Sequence, residues 1–254
     1  MDGVIIFDDA RYKYTKKYLQ DKGHVFHDPD TTYTWPALDF IIFPFKDPVD
    51  QKRYSDSFFA ELNKDVQIFS GIRSSYLTQK CGAHSLKYNV MMEDTGTAVK
   101  NAVPTSEGVL AFLVQNMERT IAASRILVVG YGICGRDLSL RLKALGANVH
   151  ALVRNWEKQS IAMADGVTPL YQQQLHGSFD AVINTVPSTV LSNSCIGGLA
   201  PALFVEIASA PYGFDMEEAK RYNSRSAILP GIPGKYAIKT AGQTLGEYVQ
   251  HCIL

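Results

Sequence analysis

A glycine-rich loop near the middle of the chain restricts the fold more than any other segment. Residues 126–129 form an unbroken aliphatic run, and Gly130, Gly132 and Gly135 follow it in the spacing G-x-G-x-x-G. Such a run is typical of a strand that is buried on both faces. Residues 138–145 then carry leucines at helical spacing. The order of strand, glycine loop and helix predicts the first βα unit of a Rossmann fold that binds a dinucleotide.

Each glycine has its own backbone role in such a loop. The first permits the tight turn, the second lets the backbone approach a pyrophosphate, and the third lets the helix pack on the strand. The helix N-terminus adds free N–H groups and a partial positive charge that favour phosphate. The alternative is a Rossmann-like fold whose loop holds no ligand. The residues expected to contact the dinucleotide are Gly130, Tyr131, Gly132, Ile133, Cys134 and Gly135.

The end of the next strand predicts which dinucleotide is bound. NAD-binding chains usually place Asp or Glu there, about 20 residues after the loop, to bind the ribose 2′-OH. Here the strand is expected over residues 148–153, and Arg154 follows it, with Lys158 nearby. A guanidinium can bind a phosphate through two parallel hydrogen bonds. NADP is therefore favoured over NAD, unless Arg154 is an ordinary surface arginine or only stacks on the adenine.

Composition argues against several other classes of protein. The 25 basic and 25 acidic side chains balance, which argues against nucleic-acid binding through bulk charge. No apolar stretch approaches the length of a membrane span, and the first residues lack the pattern of a signal peptide. The cysteines have no metal-binding spacing, so we expect no metal site, and reduced thiols in a cytoplasmic protein. They are Cys81, Cys134, Cys195 and Cys252.

The 254 residues are enough for two domains of ordinary size. Short apolar runs alternate with helical patterns along the chain, which predicts an α/β protein with two Rossmann-like domains and mostly parallel sheets. We expect an α/β domain over residues 1–103, a linking helix over 104–122 that begins at Pro104, and the dinucleotide-binding domain over 123–254. Residues 238–252 are expected to form a final helix. The sequence leaves open whether that helix returns to the first domain.

Other candidate site residues follow the predicted strands. Ligands of open α/β sheets bind beyond the carboxyl ends of the strands. On this rule the remaining predicted contacts to the cofactor are Thr185, Val186, Pro187, Ser209 and Pro230.

Cations at strand ends favour a substrate that carries carboxylates. These cations are Arg11, Arg73, Lys235 and Lys239. For each one, the ordinary alternative is a solvated surface charge. Glu107 is a candidate proton acceptor, as is Asp9.

One well-known mechanism does not fit this sequence. The D-2-hydroxyacid dehydrogenases share the two-domain layout and the glycine loop, but they use an Arg, a Glu and a late His for catalysis. Ser209, Ala210 and Pro211 stand where their arginine motif would fall, and no histidine lies between His176 and His251. Oxidation of a hydroxyacid by that mechanism is therefore not expected.

Motifs across nearly the whole chain resemble those of the dipicolinate synthase A subunits of spore-forming bacteria. The segment 230–243 is the most specific, whereas the glycine loop alone is common to many families. Two positions depart from the family pattern: Ala210 replaces a larger, often basic residue, and Tyr212 replaces a small one. These departures concern the substrate contacts more than the cofactor site. The segments that carry the resemblance are residues 9–11, 70–72, 103–108, 130–135, 144–149, 183–188, 207–209, 229–234 and 239–243.

The resemblance implies an activity. It implies NADP-dependent oxidation of dihydrodipicolinate, made from the lysine-pathway intermediate 4-hydroxy-tetrahydrodipicolinate, to pyridine-2,6-dicarboxylate during sporulation. It also implies a second, flavoprotein-like subunit. Lys239 and Arg11 are then the expected carboxylate ligands, assisted by Thr105 and Ser106, and Lys239 and Glu107 are the candidate catalytic residues.

Two other functions stay open. One is another NAD(P)-dependent oxidoreductase that acts on a small carboxylic acid. The other is a partner subunit that binds NADP without chemistry of its own, because no acid–base residue stands out. The sequence leaves open the oligomeric state, including a homo-oligomer.

Overall fold

The computed structural model describes residues 1–30, 35–199, 202–222 and 224–254. The chain divides into two compact units, the first made of residues 1–101 and 237–254 and the second of residues 102–236. Each unit contains one sheet, and every strand pair described is parallel. The predicted α/β class with two Rossmann-like sheets is confirmed.

The first unit is built on a five-stranded sheet in the order β2-β1-β3-β4-β5. This is the order of flavodoxin-like folds, in which the strand order reverses between the first and third strands. The strands are β1 (Asp2–Ile5), β2 (Val25–His27), β3 (Phe40–Ile42), β4 (Gln67–Ser70) and β5 (Lys87–Val90), and the first helices are α1 (Arg11–Asp21), α2 (Asp56–Glu61) and α3 (Ser75–His84).

A longer helix, α4 (Thr95–Asn116), begins in the first unit and ends in the second. It begins before Pro104, which the sequence predicted as its start. Asp94 caps the true beginning, because the backbone N–H of Thr97 donates to its Oδ1 at 2.7 Å. Pro104 costs the helix one hydrogen bond, but Pro104 itself is buried and so is Val109, five residues later. Burial of these apolar side chains offsets the free-energy cost of the lost hydrogen bond.

The second unit is built on a six-stranded sheet in the order β11-β10-β9-β6-β7-β8. Numbered within the unit this is 3-2-1-4-5-6 from the β8 edge, the order of dinucleotide-binding Rossmann domains. Its elements are β6 (Arg125–Val129), α5 (Ile133–Ala144), β7 (Asn148–Leu152), α6 (Trp156–Ala164), β8 (Thr168–Leu170), β9 (Ala181–Asn184), α7 (Asn193–Leu199), β10 (Leu203–Glu206), α8 (Met216–Arg221) and β11 (Arg225–Ile228).

The central strand β6 is buried on both faces, as its aliphatic run predicted. Ile126 and Val128 belong to one apolar core, Leu127 and Val129 belong to the other, and all four are fully buried. The strand therefore holds the glycine loop that follows it at a fixed position on the sheet.

The last helix, α9 (Ile238–Ile253), packs against α1 in the first unit. Thr15 Oγ1 donates to the carbonyl oxygen of Gly242 at 2.9 Å. A Cβ atom on Gly242 would lie 2.3 Å from the carbonyl oxygen of Arg11, so only glycine permits this approach. Within the described ranges, no helix combines the length and the hydrophobicity that a membrane crossing requires.

Candidate functional site

A cavity of about 790 Å³ lies at the carboxyl ends of β6, β7 and β9 in the second unit. The strand order reverses between β6 and β9, and open α/β sheets bind their ligands at such a reversal. The residues that line the cavity are Gly130, Tyr131, Gly132, Ile133, Cys134, Gly135, Leu152, Val153, Arg154, Lys158, Tyr171, Gln172, Gln173, Thr185, Val186, Pro187, Ser188 and Val190. Of the predicted cofactor contacts, Ser209 and Pro230 do not line it; both are exposed, Ser209 after β10 and Pro230 after β11.

The three glycines of the loop occupy three different environments. Gly130 has a φ of +94°, a conformation that disfavours any side chain. Gly132 lines the cavity, and a Cβ atom there would have no neighbour within 4 Å. A Cβ atom on Gly135 would lie 2.2 Å from the carbonyl oxygen of Gly130, so α5 approaches the loop closely only because this residue is glycine. The backbone thus has the turn, the open approach and the close packing that a pyrophosphate site needs.

The loop is fixed against the neighbouring strand. The backbone N–H and Oγ1 of Thr185 both donate to the carbonyl oxygen of Val129, at 3.0 and 2.9 Å. The N–H of Gly130 donates to the carbonyl oxygen of Leu152 at 3.0 Å. Burial raises the pKa of the Cys134 thiol, so this loop residue stays protonated near neutral pH.

The far end of the cavity carries two cationic side chains. Arg154 follows β7, is exposed, and makes no hydrogen bond or ion pair within the described part of the chain. Lys158 lies in the first turn of α6, where its Nζ is 3.0 Å from Glu157 Oε1. Asn155 caps α6 by accepting the N–H of Lys158 at 3.0 Å. Arg154 is therefore free to bind an anionic group.

The polar lining after β8 was missed by the sequence reasoning. Gln172 and Gln173 follow β8, an edge strand of three residues that contains Pro169. A proline in so short a run hides the strand pattern, although edge strands tolerate it. Tyr171 was missed for the same reason; its hydroxyl lies 2.9 Å from Gln159 Oε1.

Below the rim, Tyr131, Arg136 and Asp165 form a hydrogen-bonded group. The Tyr131 hydroxyl donates to Asp165 Oδ2 at 2.9 Å, and Arg136 donates through Nε to Oδ2 at 2.7 Å and through Nη2 to Oδ1 at 3.0 Å. The hydrogen bonds from Arg136, with a further contribution from Tyr131, lower the pKa of Asp165 despite its partial burial. Burial and the neighbouring carboxylate raise the pKa of Tyr131, which keeps its hydroxyl a donor.

The ends of β9 and β10 share a second buried group. Glu206 is fully buried, and its oxygens accept from Asn184 Nδ2, from the N–H of Ala208 at 2.7 Å and from the N–H of Gly213 at 2.8 Å. Asn184 also binds both backbone groups of Val186. Glu206 therefore fixes the loop that carries Ser209 and, through Asn184, the segment that lines the cavity.

The predicted cations of the first unit lie in different settings. Arg11 is buried, stacks 3.6 Å from the Phe45 ring centroid, and pairs with Asp9 through Nε at 2.8 Å and Nη2 at 2.7 Å. Burial opposes ionisation of Asp9, but the hydrogen bonds from Arg11 leave its pKa lowered. Arg73 is exposed and forms a two-pronged ion pair with Glu93. Lys239 is exposed in the first turn of α9.

The remaining predicted residues belong to the second unit. Glu107 is exposed on α4, and its Oε1 lies 3.8 Å from Arg141 Nη1. Thr105 and Ser106 are buried on the same helix. Lys235 is exposed after the turn Ile232–Gly234. Among the described residues, no group of three or more His, Cys, Asp or Glu side chains is arranged to hold a metal ion.

The comparisons agree with this geometry. The dipicolinate synthase A subunit of Bacillus subtilis (strain 168) is 32% identical over 184 residues, which are 71% of this chain and 62% of that protein. The solved structure of the Bacillus subtilis protein superposes with a TM-score of 0.89 at 25% identity, covering 99% of this chain and 95% of that one. The chain is a relative of the dipicolinate synthase A subunits. The resemblance predicted from the sequence is confirmed.

Other comparisons concern the fold and the extent of the match. The sequence alignment spans less than two thirds of the length of the curated relative. No family model matches the sequence. The dipicolinate synthase A subunit of Bacillus halodurans has a TM-score of 0.88 at 23% identity, covering 99% of this chain and 97% of that one. The D-lactate dehydrogenase of Treponema pallidum shares the fold at 12% identity, with a TM-score of 0.69 over 99% of this chain and 96% of that one.

Proposed function

We propose that this relative of the dipicolinate synthase A subunits is an NADP-dependent oxidoreductase that forms pyridine-2,6-dicarboxylate from dihydrodipicolinate. The observation that carries the proposal is that the three loop glycines lie in three different environments. Gly132 lines the cavity with free space at its Cα, whereas Gly130 and Gly135 are required by backbone conformation and packing. A loop with no ligand would still need Gly130 and Gly135, but nothing in its own conformation or packing would require glycine at position 132.

The preference for NADP over NAD rests on Arg154. Its guanidinium lies at the cavity rim, without a partner among the described residues, at the position where NAD-binding folds place a carboxylate. Lys158 adds a second cation at the same end. Glu157 is the acidic residue nearest in sequence, but it pairs with Lys158 and is not part of the lining. The cavity lining therefore offers two cations that can bind a 2′-phosphate, and its described residues include no carboxylate that could bind a 2′-OH.

The proposed reaction removes two electrons and two hydrogens from the substrate ring. When bound, NADP supplies the hydride acceptor, and the second hydrogen leaves the substrate as a proton, so that the ring becomes aromatic. The chain's task is to hold the ring in place and to receive the proton. We propose that Glu107, whose carboxyl group is exposed on α4, receives it.

The carboxylates of the substrate need fixed cations. Arg11 follows β1 beside β3, where the strand order of the first sheet reverses. Asp9 and the Phe45 ring hold its guanidinium, and Nη1 makes no hydrogen bond to any described residue. Such a group could bind a carboxylate without first being ordered. We propose Lys239 as the second carboxylate ligand, with Arg73, Lys235, Thr105 and Ser106 as further contacts.

The partner and the setting are also proposals. The relative in Bacillus subtilis is named as the A subunit of its enzyme, which favours a second subunit. We propose a flavoprotein-like partner chain and action in the cytoplasm of a sporulating cell.

The cofactor proposal is tested by titrating NADPH and NADH into the wild type and the Arg154→Ala variant. We expect the variant to lose NADPH affinity by about tenfold, the loss of one charge-assisted phosphate contact, and to keep its NADH affinity. Arg119→Ala is the control, because Arg119 is an exposed arginine 3.8 Å from Asp180, outside the cavity lining. Equal losses for both dinucleotides would remove the argument for NADP.

The reaction is tested by following dipicolinate absorbance with the chain, NADP and freshly generated lysine-pathway intermediate. Product from the chain alone would make it a complete dehydrogenase. Product only after the second subunit is added would make it the cofactor-binding half of a shared enzyme. Turnover of hydroxy or amino acids instead would favour a different oxidoreductase, and tight NADPH binding without any turnover would favour a non-catalytic partner.

A further inference from the structure

The side chain of Tyr131 links the glycine loop to two helices. Tyr131 is the residue between the first two loop glycines, it is 4% exposed, and it packs in the core with Val109 and Ile126. Its backbone is part of the cavity lining, whereas its hydroxyl reaches Asp165, which caps the end of α6. The position of the loop backbone is therefore connected to a residue outside the cavity lining.

Asp165 also accepts hydrogen bonds from two residues of α5. Arg136, one residue beyond the loop on α5, donates two hydrogen bonds to its carboxylate. Lys143, further along α5, donates through Nζ to its carbonyl oxygen at 2.7 Å. The Asp165 side chain is 13% exposed, so these charge-assisted bonds are partly shielded from water.

The arrangement has a consequence for the first turn of α5. Ile133, Cys134 and Gly135 line the cavity, and the free N–H groups of this turn are those that a pyrophosphate would meet. Arg136 follows directly, and its half-exposed guanidinium is hydrogen-bonded to Asp165. The Asp165 carboxylate thus binds the glycine loop through Tyr131 and the first turn of α5 through Arg136.

We propose that Asp165 is a positioning residue for the dinucleotide, acting through Tyr131 to keep the glycine loop in the conformation that receives the pyrophosphate. This inference rests on the proposed dinucleotide-binding function. Asp165 touches no cofactor itself. Its effect is to set the loop geometry before binding, so that ordering the loop does not reduce the affinity.

The test measures NADPH dissociation constants for Tyr131→Phe, Asp165→Asn and the double variant, with Lys143→Met as the control. Tyr131→Phe removes only the hydroxyl that anchors the loop. Lys143→Met removes the hydrogen bond between Lys143 on α5 and the carbonyl oxygen of Asp165, which does not involve the loop. We expect Tyr131→Phe to weaken NADPH binding by about tenfold, as for one hydrogen bond to a charged group, and Lys143→Met to stay within about twofold. The double variant should bind no more weakly than Asp165→Asn alone, because the two residues act through one contact.

A second readout separates positioning from general stability. In the protein without ligand, amide hydrogen exchange of residues 130–136 should speed up in Tyr131→Phe, while exchange of β6 and β9 stays as in the wild type. If Asp165→Asn does not fold, Tyr131→Phe and Lys143→Met carry the comparison.

The outcomes separate the two proposals. If the wild type binds NADPH and Tyr131→Phe binds equally well, or if the single losses add in the double variant, the positioning role is overturned and the cofactor proposal stands. If the wild type binds neither NADPH nor NADH, the proposed function fails, and the positioning role fails with it.

Discussion

Asn184 Nδ2 lies 2.9 Å from each carboxylate oxygen of Glu206, and both side chains are fully buried. The two residues end neighbouring strands, β9 and β10, at the edge of the sheet where the cavity lies. A Cβ atom on Gly213 would lie 2.3 Å from Asn184 Cγ, so the loop after β10 closes tightly over the pair. Among the described residues, the hydrogen-bond donors to this carboxyl group are all neutral N–H groups, and the folded state depends on keeping them.

Replacing Glu206 by alanine should strongly destabilise the second unit. The change leaves the N–H groups of Ala208 and Gly213 and the amide of Asn184 buried without an acceptor. We expect a loss of about 3 kcal/mol in the free energy of unfolding, since each orphaned donor costs about 1–3 kcal/mol and the loop can relax in part. Urea denaturation measures it. Glu217→Ala, at an exposed glutamate on α8, should change the value by less than about 0.5 kcal/mol, and a similar loss there would count against the argument.

Alanine at Gly132 and alanine at Gly135 should have different effects. The Gly132 variant has free space for its Cβ and a φ of −82°, so it should fold with unchanged stability and lose dinucleotide affinity, because the methyl group occupies the approach of the pyrophosphate. The Gly135 variant should lose stability as well, because its Cβ would collide with the backbone of Gly130. Thermal unfolding and NADPH titration on both proteins check this. A Gly132→Ala variant that binds NADPH normally would contradict the pyrophosphate site.

The glycine loop could be predicted because each of its features is local. Buried strand, three glycines and amphipathic helix stand next to one another in the sequence, and each has a backbone reason that needs no distant partner. Arg154 was found in the same way, since it lies at a fixed distance from the loop. These positions all line the cavity in the structure.

What the sequence did not reveal depends on distant partners. Glu206 and Asn184 are 22 residues apart, and nothing near either position indicates that they meet. The beginning of α4 was misjudged because Pro104 carries a strong local signal that tertiary burial overrides. Asp94 directly before the helix was the signal that could have located its true start. The setting of Arg11 likewise depends on the fold, since its pairing with Asp9 and its stacking on Phe45 appear only in three dimensions.

Replacing Ser106 by alanine should stabilise the chain. Ser106 Oγ is fully buried and has no hydrogen-bond partner among the described residues. Removing an unsatisfied hydroxyl from a helix interior should raise the free energy of unfolding by about 1 kcal/mol, with a contribution from the better helix propensity of alanine. If Ser106 also contacts the substrate, as we propose, turnover should fall while stability rises. A loss of stability in urea denaturation would show that the hydroxyl has a partner after all.

Stability should depend on Asp165 in acid. Its pKa is lowered below the ordinary value of 3.8 by the hydrogen bonds from Arg136 and Tyr131, so its ionised form stabilises the folded state above the unfolded pKa. As the pH falls through the folded pKa, the carboxylate becomes protonated in both states and this contribution is lost. The difference in unfolding free energy between the wild type and Asp165→Asn should therefore be constant near neutral pH and shrink below about pH 3.8. Urea denaturation of both proteins between about pH 7 and pH 3 measures the difference. A difference that does not change with pH would show that the side chain acts through its shape and not through its charge.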